Sequence, residues 1–121
     1  NKNKVLLIDL DPQANATEIM KATFNKEIEP AVSLYNGLLN LDLSKSVVTL
    51  TDNISIIPAD WELSLWPGKA EKIKSHDRML ILSELIKSFK EQFDYIIIDV
   101  PPTLSIFTNN AILASDYTLL V

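Results

Sequence analysis

Cysteine is absent from the 121 residues, which excludes disulfide frameworks, Cys-based zinc sites and thiol nucleophiles. Histidine occurs once, so a Ser-His-Asp triad would have to be built on His76. Lying beside Asp77 and ahead of an apolar periodic stretch, His76 reads as a capping-region or surface residue. Arginine also occurs once, as Arg78, and 11 Lys plus Arg against 16 Asp plus Glu leave a net charge of −5. That balance opposes a grip on nucleic-acid phosphates by this chain. No apolar run approaches the roughly 18 residues of a membrane span, and nothing resembles a signal peptide. Glycine is the sharpest shortage: Gly37 and Gly68 are the only two in 121 residues, where ordinary usage is about 7%. The chain therefore holds no complete Gly-rich phosphate loop, neither GxGxxG nor GxxxxGK(S/T).

What is present suffices for a core. Hydrophobic residues make up 47% of the chain, at a length close to the common domain size. One folded unit over residues 1–121 is expected, without internal repeat or linker. The chain opens at Asn1 and soon enters the apolar run Val5-Leu6-Leu7-Ile8; it closes inside another, Thr118-Leu119-Leu120-Val121. Natural termini are usually polar and frayed, so a partial domain of a longer protein is expected.

Val5 to Leu10 is a continuous apolar run stopped by Asp11-Pro12, the pattern of a strand buried on both faces in a parallel sheet. Asn53 to Pro58 reads as a short strand, Tyr95 to Val100 as another buried one stopped by Pro101-Pro102, and Tyr117 to Val121 as a last one. Helical patterns lie between them: Asn15 to Lys21, capped at Asn15; Ala31 to Asn40; and a short segment after Asp42. The clearest helix takes Asp77 as N-cap and carries Met79, Leu82, Leu85, Ile86, Phe89 and Phe93 at threes and fours. Ser105 to Ala114 supplies the final helix. Strands alternating with helices predict an α/β fold with a mostly parallel sheet flanked by helices. Tyr35, Phe89 and Phe93 are assigned to the core, Trp61 and Trp66 to core or half-buried packing, and the 69–74 stretch KAEKIK to a solvated face.

Ligands of open α/β sheets bind outside the carboxyl ends of the strands. Two strands finish in acids at that edge: Ile8-Asp9-Leu10-Asp11-Pro12-Gln13 and Ile96-Ile97-Ile98-Asp99-Val100-Pro101-Pro102. A single acid before proline is a common turn starter, and a single strand-end Asp often caps the next helix. Two such ends, each after four apolar residues and each followed by proline, point to a shared site.

As whole motifs these segments are recognisable. Lys4 to Thr17, KVLLIDLDPQANAT, and Phe93 to Pro102, FDYIIIDVPP, resemble the switch I strand and the Walker B strand of the ParA/Soj family of deviant Walker A partition ATPases. Ile54-Ser55-Ile56-Ile57-Pro58-Ala59 resembles the family's strand between them, and Asn110-Ala111-Ile112-Leu113 its following helix. The resemblance runs through essentially the whole chain in the family's order. One departure is Ala14, where the family usually has glycine; this asks that the position avoid a strained backbone.

The resemblance implies a P-loop NTPase-like fold, of which this chain would be the central part, the P-loop strand and helix falling upstream of Asn1. It implies ATP and Mg²⁺, both bound only with that loop in place. Asp99 takes the position of the Walker B acid, holding Mg²⁺ through a water, and Asp9 lies near the metal's waters. Asp11 takes the catalytic position, orienting or activating the water that attacks the γ-phosphate. Phosphoryl transfer needs positioning and charge neutralisation more than covalent chemistry, so a carboxylate on a switch segment suffices. Gln13 belongs to switch I, and Pro101, Pro102 and Thr103 begin switch II. The family's catalytic lysines sit in the loop that this sequence lacks.

For the intact protein the resemblance implies a cytoplasmic, nucleoid-associated partition ATPase with no membrane contact. ATP would drive a homodimer, DNA would be bound nonspecifically through regions outside this chain, and a ParB-like adaptor would stimulate hydrolysis. The 121 residues alone are expected neither to bind DNA nor to hydrolyse ATP. Alternatives with the same core are a plasmid replication or copy-control accessory ATPase, a MinD-like positioning ATPase and a non-enzymatic pseudo-ATPase dimerisation module. A receiver domain of two-component signalling also pairs acids with a strand-end Asp. The 88 residues from Asp11 to Asp99, about twice the length of two βα units, oppose it.

Overall fold

The runs of branched apolar residues form the sheet. In the computed structural model, which describes residues 3–119, β1 (Val5–Asp9), β3 (Ile54–Ile57) and β4 (Tyr95–Asp99) are parallel, with β1 in the middle. A two-residue strand, β2 (Val48–Thr49), joins β3 antiparallel and completes the order β2-β3-β1-β4. Too short to leave a pattern, β2 is set by its turn, where the Leu50 and Thr51 N–H groups both donate to the Ile54 carbonyl. The α/β class and mostly parallel sheet expected from the sequence are found. Of the expected last strand, Tyr117 to Leu119 form none, and Leu120 and Val121 lie outside the described residues.

Alternate residues of the strands serve two layers. Leu6, Ile8 and Ile57 join the main core with Leu38, Leu63, Trp66, Leu82 and Ile86. On the other face, Met20 and Phe24 of α1 (Asn15–Phe24) pack with Leu7, Ile54 and Ile56. β4 departs from the two-sided burial expected of it. Ile96 and Ile98 pack against the core, but Tyr95 and Ile97 are 58% and 54% exposed. Among the described residues β4 is an edge strand, and α1 covers only the β1–β3 side.

The helices differ from the sequence pattern where hydrogen bonds overrule it. α2 (Leu34–Asn40) starts later than Ala31 because Ser33 is its cap, Oγ accepting from Asn36 N–H at 3.2 Å. After Asp42 there is only a 3₁₀ turn, Ser44–Ser46, with Asp42 Oδ1 accepting from Ser44 N–H. Gly37 is needed beside it: a Cβ there would lie 2.8 Å from Ser46 Oγ and 2.9 Å from Leu43 Cδ2. Asn15 is the first residue of α1 rather than its cap, which is Ala14.

The long helix expected from Asp77 is broken. It is replaced by α4 (Ser75–Arg78), α5 (Ile81–Leu85) and a 3₁₀ segment, Lys87–Glu91, and Asp77 lies within α4. The break has an identifiable cause in Asn110, which is fully buried on α6 (Ile106–Ala114). Its carboxamide accepts from Leu82 N–H at 3.1 Å and donates to the Arg78 carbonyl at 2.9 Å. A continuous helix would join those two groups directly; the inserted side chain replaces that bond and bends the chain. The apolar periodicity still selects the buried side, since Leu82, Ile86 and Phe89 are core.

Trp66, on α3 (Trp66–Ala70), is 2% exposed and lies 5.7 Å from the Phe107 ring. Trp61 is 70% exposed, against the expected packing, because it sits on the outer side of the 3₁₀ segment Trp61–Leu65. Tyr35 and Phe89 are buried and Phe93 packs against the core as expected. The 69–74 stretch is solvated except for Ala70, and His76 is exposed.

Candidate functional site

The two acid-bearing strand ends meet. Asp9 and Asp99 are register partners on neighbouring parallel strands, so both project from the same sheet face. The Leu10 N–H donates to the Asp99 carbonyl at 2.8 Å and ties the ends together. The chain leaves β1 through Leu10–Ala14 into α1, and leaves β4 through Val100–Ser105 into α6. Asp11 and Gln13 lie on the first connection, Pro101, Pro102 and Thr103 on the second.

The first connection is locked. Asp9 is fully buried, and its Oδ2 accepts from both the N–H (2.9 Å) and the hydroxyl (2.7 Å) of Thr17. Its Oδ1 accepts from Asp11 N–H at 3.2 Å. Thr17 Oγ1 in turn accepts from Ala59 N–H at 3.0 Å, reaching the segment just past β3. Helix starts leave N–H groups without partners. Ala14, the cap of α1, has no side chain to offer, so the strand-end carboxylate does the capping.

Ala14 itself corrects an expectation. Its φ is +60° and its ψ 32°, a left-handed backbone that costs an L-residue about 1–2 kcal/mol. The position does not avoid strain; the alanine bears it. Its N–H donates to the Asp11 carbonyl at 2.8 Å and its carbonyl accepts from Glu18 N–H, so the turn holds the conformation from both sides.

Asp11 is 9% exposed. Its Oδ1 accepts from Gln13 N–H at 3.0 Å, and its other oxygen has no hydrogen-bond partner among the described residues. Gln13 is exposed. Asp99 is also exposed, with no side-chain hydrogen bond among the described residues. Partial burial pushes its carboxyl above the usual carboxylate range, and the negative charges of Asp9 and Asp11 add to the effect. Pro102 and Thr103 are exposed and Pro101 half-buried; the Thr103 carbonyl accepts from the Thr108 hydroxyl at 2.7 Å.

The acid edge is open rather than pocketed. A cavity of about 350 Å³ lies beside Thr17, lined also by Lys21, Glu29, Pro30, Ala59 and Asp60, and neither Asp11 nor Asp99 borders it. Among the described residues no three His, Cys, Asp or Glu side chains converge on a possible metal position. The edge carries three carboxylates, none ion-paired to Lys or Arg among the described residues. Thr17 is the member that sequence reasoning missed. A strand-end Asp followed eight residues later by a Thr in the first turn of a helix is the signal that could have found it.

Comparisons with known proteins identify the family. A family model described as an AAA domain matches residues 1–121. The sporulation initiation inhibitor protein Soj of Bacillus subtilis is 37% identical over 120 residues, a match covering 93% of this chain and 44% of Soj. A plasmid partition protein from Borrelia burgdorferi superposes with a TM-score of 0.79 at 30% identity, covering 95% of this chain and 50% of that one. Cobyrinic acid a,c-diamide synthase from Mycobacterium smegmatis, with a bound ATP analogue and magnesium, superposes with a TM-score of 0.78 at 27% identity, covering 93% of this chain and 43% of that one. The chain spans about half the length of these relatives or less. With two acid-ended strands in register, a parallel sheet and this degree of identity over nearly its whole length, the chain belongs to the ParA/Soj family of deviant Walker A partition ATPases.

Proposed function

We propose that this chain supplies the switch and metal side of the ATP site in a ParA-like partition ATPase. The observation that carries the reading is the register pairing of Asp9 with Asp99, which brings the Asp11 turn and the Pro101–Thr103 segment to one sheet edge. Likeness to a diamide synthase shows that this fold serves other chemistry as well; the partition reading rests on the more similar Soj and plasmid partition relatives.

The donor set suits Mg²⁺. Its oxygens are hard carboxylates, none ion-paired to Lys or Arg among the described residues, and they are too few to form a protein-only cage. Magnesium keeps several waters and takes one or two carboxylates plus substrate phosphates. When bound, it neutralises charge on the transferring phosphoryl group. Asp99, exposed and without a side-chain hydrogen bond among the described residues, is the carboxylate that would hold the ion. Asp9, its oxygens engaged by Thr17 and Asp11, would act on the ion only through its charge. Asp11 offers its free oxygen to the attacking water. Gln13 marks the exposed end of switch I, and Pro101, Pro102 and Thr103 start switch II, where a stiff backbone couples nucleotide state to surface shape.

The phosphate cradle comes from elsewhere in the intact protein, because these 121 residues hold no Gly-rich loop; alone they are inert towards ATP. The intact protein forms an ATP-state homodimer, binds DNA nonspecifically outside this chain and answers to a ParB-like adaptor, in the cytoplasm at the nucleoid. No helix among the described residues is long and apolar enough to cross a membrane. Asp11→Ala in the intact protein tests the central role. ATP affinity is expected to stay within about twofold and turnover to fall by about 100-fold or more. Undiminished hydrolysis would remove Asp11 from the mechanism.

A further inference from the structure

We infer that Thr17 is a positioning residue for the hydrolytic water, acting through the turn that carries Asp11. The inference rests on the reading of Asp11 given above. Thr17 is 2% exposed and directs its N–H and both functions of its hydroxyl, donor and acceptor, to one place. Its N–H and hydroxyl both donate to Asp9 Oδ2, while the hydroxyl oxygen accepts from Ala59 N–H. Through Asp9 Oδ1 the same network reaches the Asp11 N–H.

Ordinary helix capping does not require this arrangement. A cap side chain would come from position 14 itself, and one bond to an N–H of the first turn would satisfy it. Here the acceptor belongs to β1, and the second partner of the hydroxyl lies 42 residues away, beyond β3. Thr17 therefore fastens three elements at one atom: the end of β1, the start of α1 and the exit of β3. Between two of these fixed points, Asp9 and Thr17, runs the five-residue connection Leu10–Ala14, with its left-handed Ala14 and its Ala14 N–H to Asp11 carbonyl bond. A turn strained at one residue keeps its shape only while its ends are held. Releasing the hydroxyl lets both ends shift, and the Asp11 carboxylate moves with them. Misplacement of a reacting group by about 1 Å can cost about 100-fold in rate.

The test uses the intact protein and the isosteric pair Thr17→Val and Thr17→Ser. Thr17→Val keeps the branched shape and removes the hydroxyl; Thr17→Ser keeps the hydroxyl. Thr17→Val is expected to lower kcat by about 10- to 100-fold with the ATP Kd within about twofold, and Thr17→Ser to restore kcat to within about threefold. On an Asp11→Ala background, Thr17→Val should lower kcat no further, since residues acting as a unit are non-additive. A kcat for Thr17→Val within about twofold of the parent, or an equal fall on both backgrounds, would overturn the inference.

Amide hydrogen exchange at Ala14 gives a readout independent of turnover. Its N–H is bonded to the Asp11 carbonyl, so exchange there is expected to quicken in Thr17→Val and return in Thr17→Ser. If Asp11→Ala hydrolyses ATP at the parent rate, the role of Asp11 fails and exchange alone decides for Thr17. Faster exchange sustains it as the clamp of the turn, and unchanged exchange overturns it.

Discussion

The two strand ends carry the same residue type at the same level of one sheet, yet they are built in opposite ways. At the end of β1, Asp9 is wholly buried and its carboxylate accepts three hydrogen bonds, two from Thr17 and one from Asp11. At the end of β4, Asp99 is exposed, lacks a side-chain hydrogen bond among the described residues and is harder to ionise than an ordinary aspartate. A buried charge persists only where donors replace its lost water; an exposed one can remain available to a ligand. The contrast separates a carboxylate spent on shaping the β1–α1 turn from one left free of protein donors. Asp11 stands between them, mostly buried but with one oxygen unengaged.

The largest expected effect comes from breaking the locked side. Asp9→Ala leaves the N–H groups of Asp11 and Thr17 without their acceptor, and should lower unfolding free energy by about 2–4 kcal/mol in denaturant titration. The equivalent change at Asp99 removes no hydrogen bond, so a comparable loss there would erase the distinction between the two ends.

A smaller effect, of opposite sign, is expected from Ala14→Gly. Relief of the left-handed alanine is worth about 1–2 kcal/mol, and the added backbone freedom of glycine in the unfolded chain takes back about 0.5–1 kcal/mol. A net stabilisation of about 0–1.5 kcal/mol is expected by the same titration. A destabilised Ala14→Gly variant would show that the turn is not strained at this residue.

The smallest effect belongs to the free side. Because the Asp99 pKa is raised in the folded protein, the folded state binds its proton more tightly than the unfolded state does. Stability from this group is therefore greatest at low pH and declines as pH rises from the ordinary aspartate range through the raised value. Asp99→Asn removes that decline and should stabilise the protein at pH 7 by less than about 1 kcal/mol, since water screens an exposed group. Thermal unfolding of parent and variant across the acid range checks both the size and the sign.

Much of this site was legible before any fold was built. The runs ahead of Asp9 and Asp99 announce strands, their prolines announce turns, and the acids fall at the carboxyl edge, where open α/β sheets place ligands. What escaped was carried by partners distant in sequence. The periodicity of Met79 to Phe93 correctly selects the core side, but no window of that stretch contains Asn110, whose carboxamide splits the helix. Likewise Tyr95 and Ile97 look as buried as Leu7; their exposure follows from where β4 stands in the sheet order and from how far α1 reaches.

By itself the sequence determined the three parallel strands, the acids that end two of them, the absence of a Gly-rich phosphate loop from these residues, and the family to which the chain belongs. Each of these follows from local composition, period or motif. Only the tertiary structure decided that Ala14 is left-handed, that Asp9 is occupied while Asp99 is free, and that Thr17 joins β1, α1 and the exit of β3. Those features depend on hydrogen bonds across 8 and 42 residues. Such bonds become specific only once the sheet has set the distance between their partners.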